Sequence, residues 1–148
     1  MEKLITCMRV AFATNFTYYL EAHNAHWNVL GPDFPQYHEF LNKVYDDAQD
    51  AIDDYAEKVR QLHAFAQGTY PEIIAESVLK DPVGIPRDPV MIFESLLADA
   101  ETLVAYLQDT YDEAGLVREY GIQNFLADRI DTHKQQIWKM RSILGLNP

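Results

Sequence analysis

The chain has 148 residues, 48% of them hydrophobic and 24% charged, and its formal net charge at pH 7 is −11. This length suffices for one domain with its own hydrophobic core, and we expect a single domain over residues 1–148. The composition excludes a disordered chain, and no apolar run is long enough to span a membrane. The negative charge disfavours a general nucleic-acid-binding protein. It suits a protein that handles cations, and equally one that is acidic only to stay soluble.

The N-terminal residues and the cysteine count indicate the cellular compartment. The opening MEKLITCMRVAFATNF mixes acidic and basic side chains without a long apolar core, so it does not resemble a signal peptide. The sequence contains one cysteine, Cys7, which excludes an intrachain disulfide. We therefore expect a cytoplasmic protein in which Cys7 is a buried, unreactive thiol.

Two long helices are predicted in the N-terminal half from the periodicity of apolar residues. The first runs from about Lys3 to Asn28 and is stopped by the Gly31-Pro32 pair. The second begins after Pro35, continues to about Ala66 and ends at Gly68, so it would measure about 45 Å.

The C-terminal half predicts a short helix and two more long ones. The short helix lies near Pro71–Val78, within a Gly- and Pro-rich segment from Gly68 to Pro89. The third long helix starts after Pro89 and ends near Gly115, and the fourth covers roughly Ile122 to Leu144. The predicted fold class is therefore all-α, a four-helix bundle whose second and third helices are joined by a crossover with a short extra helix. This up-down-down-up order is the connectivity of ferritin-like folds.

The second helix separates its apolar and polar residues onto nearly opposite faces. The apolar stripe, which we expect inside the bundle, consists of Leu41, Val44, Ala48, Ala51, Ile52, Tyr55, Val59 and Leu62. The outward face carries His38, Asn42, Asp46, Gln49, Asp53, Glu57 and Arg60. Such a polar row is usually only solvated surface, but it contains residue types that bind metals.

The spacing of these polar residues limits how they could share a metal ion. His38 and Asn42 form one pair four residues apart, and Asp53 and Glu57 form another. His38 and Asp53 are separated by about 22 Å along a helix, whereas metal ligands lie about 2.0–2.6 Å from their ion. Both pairs could meet only if a second copy of the helix packed antiparallel, with a two-fold axis near Asp47–Ala48. The spacing therefore predicts that a metal site here would lie between subunits.

A longer pattern around this helix resembles the Dps family, the mini-ferritins of the ferritin-like superfamily. The residues His26-Trp27-Asn28-Val29-Leu30-Gly31-Pro32-Asp33-Phe34, then Tyr37-His38, then Asp53-Asp54-Tyr55-Ala56-Glu57-Lys58, are similar to the family motif H-W-N-V-x-G-x-x-F-x-x-x-H followed by D-x-x-A-E-R. Thr69 to Ser77 looks like the family's short connecting helix, and Ile130 to Met140 resembles its last helix.

The resemblance implies a function and an assembly. Dps proteins are hollow dodecamers built from two-fold dimers that bind Fe(II), oxidise it with hydrogen peroxide or dioxygen and store the ferric product. Carried over by position, Asp53 and Glu57 would be the main carboxylate ligands, and His26 and His38 would come from the two-fold-related subunit. Trp27 resembles the family's aromatic residue near the site, where it could donate an electron, although packing at the helix end would explain it equally well.

The sequence departs from the family pattern at one ligand position. Asn42 stands where the family has an aspartate. An amide oxygen can coordinate a metal but brings no charge, so we expect a dinuclear iron site with a weak second position. Asp46, one turn further on the same face, could substitute for the missing carboxylate. The resemblance implies no organic cofactor.

Alternative functions and the route of iron stay open at this point. An internal dinuclear site of the Glu-x-x-His type is excluded because that motif does not occur in the sequence. The main alternative is a Dps-like shell or DNA-protecting protein with a weakened or inactive iron site. Another is a cage that buffers Zn or Mn. Iron entry through three-fold pores would use some of Glu119, Asp128 and Asp131, with Asn124 at the best-matching position. We expect no DNA binding without bridging cations.

Overall fold

The structure, a computed structural model, describes residues 1–80, 84 and 87–147. These residues form α1 (Glu2–Asn28), α2 (Phe34–Gln61), the short α3 (Tyr70–Glu76), α4 (Pro89–Leu116) and α5 (Tyr120–Ile143), with no strand among them. Residues 81–83, 85 and 86, which belong to the predicted crossover, and residue 148 lie outside the described residues. The predicted all-α fold class is confirmed.

Contacts between the helices define an up-down-down-up bundle. α1 is antiparallel to α2, because Asn15 near the middle of α1 donates to the carbonyl of Ala48, while His26 near its end meets His38 near the start of α2. α2 and α5 are also antiparallel, since Tyr55 packs against Phe125 and Asp47 pairs with Arg129. α4 is antiparallel to α1, because Ser95 near its start donates to Glu21 late in α1, while Glu113 near its end pairs with Lys3. The connection between α2 and α4 therefore takes the chain back to the end of the bundle where α2 begins.

Local sequence signals explain where the helices begin. Asp88 precedes α4, and its carboxylate accepts a hydrogen bond from the Met91 amide at 3.0 Å, an N-cap that satisfies a free helix donor. Thr69 and Glu72 form a capping box around the start of α3. Each of α2, α3 and α4 has a proline in its first turn, where the missing amide hydrogen costs nothing.

The predicted end of the second helix, near Ala66, is wrong. α2 stops at Gln61, because His63 adopts a left-handed backbone conformation with φ of 62°. The amide of Ala64 then donates to the Val59 carbonyl at 3.3 Å, and the amide of His63 donates to the Arg60 carbonyl, as in a Schellman motif. The residues that follow pack against α1 instead, where Arg9 donates to the carbonyl of Phe65.

A cluster of polar side chains lies between α2 and α5, next to the apolar core of the bundle. Arg129 donates to both carboxylate oxygens of Asp47, at 2.9 and 2.8 Å, and its guanidinium lies 3.3 Å from Nε2 of His133. His133 is fully buried and contacts the ring of Tyr18 edge-on. Burial, followed by the charge of Arg129, lowers the pKa of His133 to about 3, so this imidazole is neutral in the folded protein.

The ion pair with Arg129 also keeps Asp47 in its charged form. Burial alone would raise the pKa of Asp47, but the hydrogen bonds and charge of Arg129 outweigh it and hold that pKa below its usual value. Among the described residues, the interior of the bundle therefore holds the ion pair of Arg129 with Asp47, and no three potential metal ligands come together there. Among the helices of the described residues, none is both long and apolar enough to cross a membrane.

Candidate metal site

The faces of α2 are arranged as the periodicity predicts. Every residue of the apolar stripe is buried except Ile52, which is partly buried. On the opposite face Asp46, Gln49, Asp53, Glu57 and Arg60 are exposed, while His38 and Asn42 are half-buried. The residues with possible metal-binding chemistry therefore point away from the core of their own subunit.

The two histidines of the pattern are held together by reciprocal hydrogen bonds. Nδ1 of His26 lies 2.8 Å from the carbonyl oxygen of His38, and Nδ1 of His38 lies 2.9 Å from that of His26. A carbonyl oxygen can only accept, so both Nδ1 atoms carry the hydrogen and donate it. The imidazole rings stack with centroids 3.7 Å apart. In the neutral rings, the lone pair of each Nε2 is therefore available for a metal, and backbone contacts fix the ring orientation.

The two carboxylates lie on the part of α2 beyond the histidines. Asp53 and Glu57 are exposed, and neither forms a hydrogen bond or an ion pair with another described residue. Across the described ranges, no three His, Cys, Asp or Glu side chains come close enough to hold a metal ion. One copy of the chain thus brings the histidines together and leaves the carboxylates apart from them.

Asn42 belongs to a small hydrogen-bonded network on the same face. Its Nδ2 donates to Oδ2 of Asp46 at 2.6 Å, and its Oδ1 accepts from the hydroxyl of Tyr45 at 3.1 Å. Burial by neighbouring atoms, followed by the charge of Asp46, raises the pKa of Tyr45, which keeps its hydroxyl protonated as a donor. The amide that replaces an expected carboxylate is therefore oriented by both neighbours.

An aromatic stack centred on His23, a residue with no role predicted from the sequence, lies next to this network. The ring of His23 is sandwiched between Tyr45, at 3.8 Å and nearly parallel, and Trp27, at 3.9 Å. The hydroxyl of Tyr19 lies 3.1 Å from Nδ1 of His23. Burial, followed by the nearby His26, lowers the pKa of His23. The spacing of residues 19, 23, 26 and 27 on one helix could have indicated this shared face.

Trp27 itself is 58% exposed and contacts His23 rather than either histidine of the stacked pair. Its indole thus extends the aromatic stack towards solvent. Packing at the helix end leaves Trp27 exposed in one copy of the chain, and its role beside a metal site stays a prediction.

The residues predicted for a pore lie between the residue that precedes α5 and the middle of that helix. Glu119 precedes the helix, and Asn124, Asp128 and Asp131 are exposed on it. Asp131 accepts a hydrogen bond from Gln135 and lines an open cleft of about 610 Å³ between α4 and α5. Their role in iron entry stays a prediction.

Comparisons with known proteins agree with this architecture. The profile of the ferritin-like domain matches residues 10–147. A DNA protection during starvation protein of Brevibacillus brevis is 28% identical over 127 residues, which cover 85% of this chain and 84% of the relative. The crystal structure of antigen TpF1 from Treponema pallidum superposes with a TM-score of 0.93 at 25% identity, covering 97% of this chain and 92% of the other. DpsA14 from Streptomyces coelicolor gives 0.90 at 27% identity, with 96% and 84% covered.

Proposed function

Because this chain belongs to the Dps family of ferritin-like proteins, we propose that it is a ferroxidase and iron-storage protein that protects against oxidative damage. Copies of the chain assemble through two-fold dimers into a dodecameric shell. Fe(II) is oxidised at sites between subunits by hydrogen peroxide or dioxygen, and the ferric product is stored in the cavity. The observation that carries this proposal is the His26–His38 pair, whose reciprocal hydrogen bonds keep both Nε2 atoms available for a metal.

The ligands of each site come from both members of a dimer. Asp53 and Glu57 of one subunit supply carboxylate oxygens, which suit hard Fe(III) as well as Fe(II), and the imidazoles of His26 and His38 from the other suit Fe(II). The exposed carboxylates on α2 support this division, because neither has a hydrogen-bond or ion-pair partner among the described residues of its own subunit. The antiparallel packing of two α2 helices would place each carboxylate pair opposite a histidine pair.

Two Fe(II) ions in one site supply the two electrons that the reduction of one hydrogen peroxide molecule requires. Two Fe(II) ions lose one electron each, and hydrogen peroxide takes both electrons with two protons to give two water molecules. A single Fe(II) would release a hydroxyl radical instead, so keeping two ions together protects the cell. The second position is the weaker one, because Asn42 brings no charge.

The acidic surface along the first half of α5 gives iron a route into the shell. We assign this role to Glu119, Asp128 and Asp131, which would attract cations where three subunits meet. Among the described residues, the carboxylate of Asp131 has one hydrogen-bond partner, Gln135.

A second candidate function is a protective shell whose iron site is weakened. The neutral Asn42 favours it, and the relative from Brevibacillus brevis carries the name of a DNA protection protein. With a net charge of −11 per chain, the shell would repel DNA unless divalent cations bridged them. A DNA gel-mobility assay at physiological salt, with and without Mg²⁺, tests this reading.

Stopped-flow absorbance after mixing the assembled protein with Fe(II) and peroxide tests the ferroxidase proposal. We expect a rapid rise in ferric absorbance that is lost in D53N/E57Q. The matched control is D54N, which removes a charge from the same helix without touching the site. If Fe(II) is oxidised no faster with the wild-type protein than in protein-free solution, the ferroxidase proposal is refuted and the protective shell is the remaining candidate function.

A further inference from the structure

The second metal position has no carboxylate at residue 42, but the structure places one beside it. The amide nitrogen of Asn42 donates to Oδ2 of Asp46 at 2.6 Å. Side chains on a helix lean towards its N-terminus, so the Asp46 carboxylate covers the turn that Asn42 occupies. A carboxylate has about four acceptor positions, and one hydrogen bond from Asn42 leaves it able to bind a cation.

The orientation of the Asn42 amide follows from its two neighbours. The carboxylate of Asp46 can only accept a hydrogen bond, so the amino group of Asn42 must face it. The amide oxygen then accepts from the Tyr45 hydroxyl at 3.1 Å. The negative charge nearest residue 42 on this face of α2 is therefore that of Asp46, and Asn42 acts as its hydrogen-bond donor.

The aromatic stack fixes the third member of this network. The Tyr45 ring lies nearly parallel to that of His23 at 3.8 Å, with 11° between their planes, and edge-on to His26 at 4.9 Å. His23 is in turn held by the Tyr19 hydroxyl and by Trp27. Contacts between α1 and α2 thus hold the Tyr45 hydroxyl at Asn42.

We propose that Asp46 binds the second Fe(II) of the site and that Asn42 and Tyr45 are positioning residues that hold its carboxylate, with His23 fixing the Tyr45 ring. The inference rests on the proposed function, because it requires the two-fold interface. It replaces the neutral ligand expected at residue 42 with a charged one, so the second position is stronger than Asn42 alone would make it.

An anaerobic calorimetric titration of the assembled protein with Co(II) tests the assignment without any oxidation step. We expect two ions for each site in the wild type. D46N keeps the first ion and binds the second at least tenfold more weakly, while the control D54N binds both as the wild type does. A second ion bound by D46N within twofold of the wild-type affinity would overturn the assignment.

The same titration separates this inference from the proposed function. A wild type that binds one ion, which is lost in D53N/E57Q, overturns the role of Asp46 and leaves the proposed iron site standing. A wild type that binds no ion at all overturns both.

The positioning role of Tyr45 needs its own measurement. Y45F keeps the ring stacked on His23 and removes only the hydroxyl, so we expect roughly tenfold weaker binding of the second ion, as for other groups that orient a metal ligand. The thermal midpoint should stay unchanged, because the Tyr45 side chain is only partly buried. A lowered midpoint with unchanged affinity for the second ion would show that Tyr45 has only a structural role.

Discussion

Mixing two defective variants tests whether each site is shared between two subunits. One variant, H26Q/H38Q, lacks the imidazoles, and the other, D53N/E57Q, lacks the carboxylates. Neither forms an intact site alone. In a mixed dimer, the histidines of the second variant meet the carboxylates of the first, which rebuilds one of the two sites, because a two-fold interface repeats every contact twice.

The expected activity follows from counting sites. Random pairing of equal amounts makes about half of the dimers mixed, and one site in two is intact in each, so about one quarter of the wild-type rate should return. Sites built within single chains would return none. The assay is stopped-flow oxidation of Fe(II) by shells refolded from an equal mixture, with the subunit ratio measured by mass spectrometry.

A second mixture provides the matched control. Wild-type subunits are mixed with a variant that carries all four substitutions, so the mixture contains the same mutations in the same amounts. Shared sites survive only in dimers of two wild-type subunits, about one quarter of the total, whereas sites within single chains would survive in about one half. Rates near zero in the first mixture and near one half in the second would refute the intersubunit site.

Two further predictions concern stability. The neutral His133 has a folded pKa of about 3 against 6.5 when unfolded, so only the unfolded chain binds a proton as the pH falls. The protein should lose about 2 kcal/mol between pH 8 and pH 5 through this group. The measurement is the urea midpoint as a function of pH at fixed protein concentration. H133Q should lose most of this pH dependence, while the control H63Q, altered at an exposed position, should keep it. An equal pH dependence of the midpoint in H133Q and the wild type would contradict the assignment. Arg118, just after the end of α4, has a left-handed backbone conformation with φ of 64°. R118G should therefore raise the free energy of unfolding by about 0.5–1 kcal/mol. R118A keeps the left-handed strain and should give no increase.

Part of the fold could be predicted because helical periodicity is a local property of the sequence. The apolar stripe of α2 and its polar outward face follow from the 3.6-residue repeat, and the structure confirms both. The end of α2 could not be predicted in this way. His63 takes a conformation that favours glycine, because the following segment is held against α1 by the Arg9–Phe65 contact.

The sequence by itself determined that His38 and Asn42 lie too far along α2 from Asp53 and Glu57 for the two pairs to share an ion within one chain. This holds because the rise of a helix is fixed for any sequence. The tertiary structure decided the rest: that His26 and His38 orient each other through backbone carbonyls, and that His23 and Tyr45 stack beside Asn42. These contacts join α1 to α2 and depend on how two helices pack, which no spacing along a single helix contains.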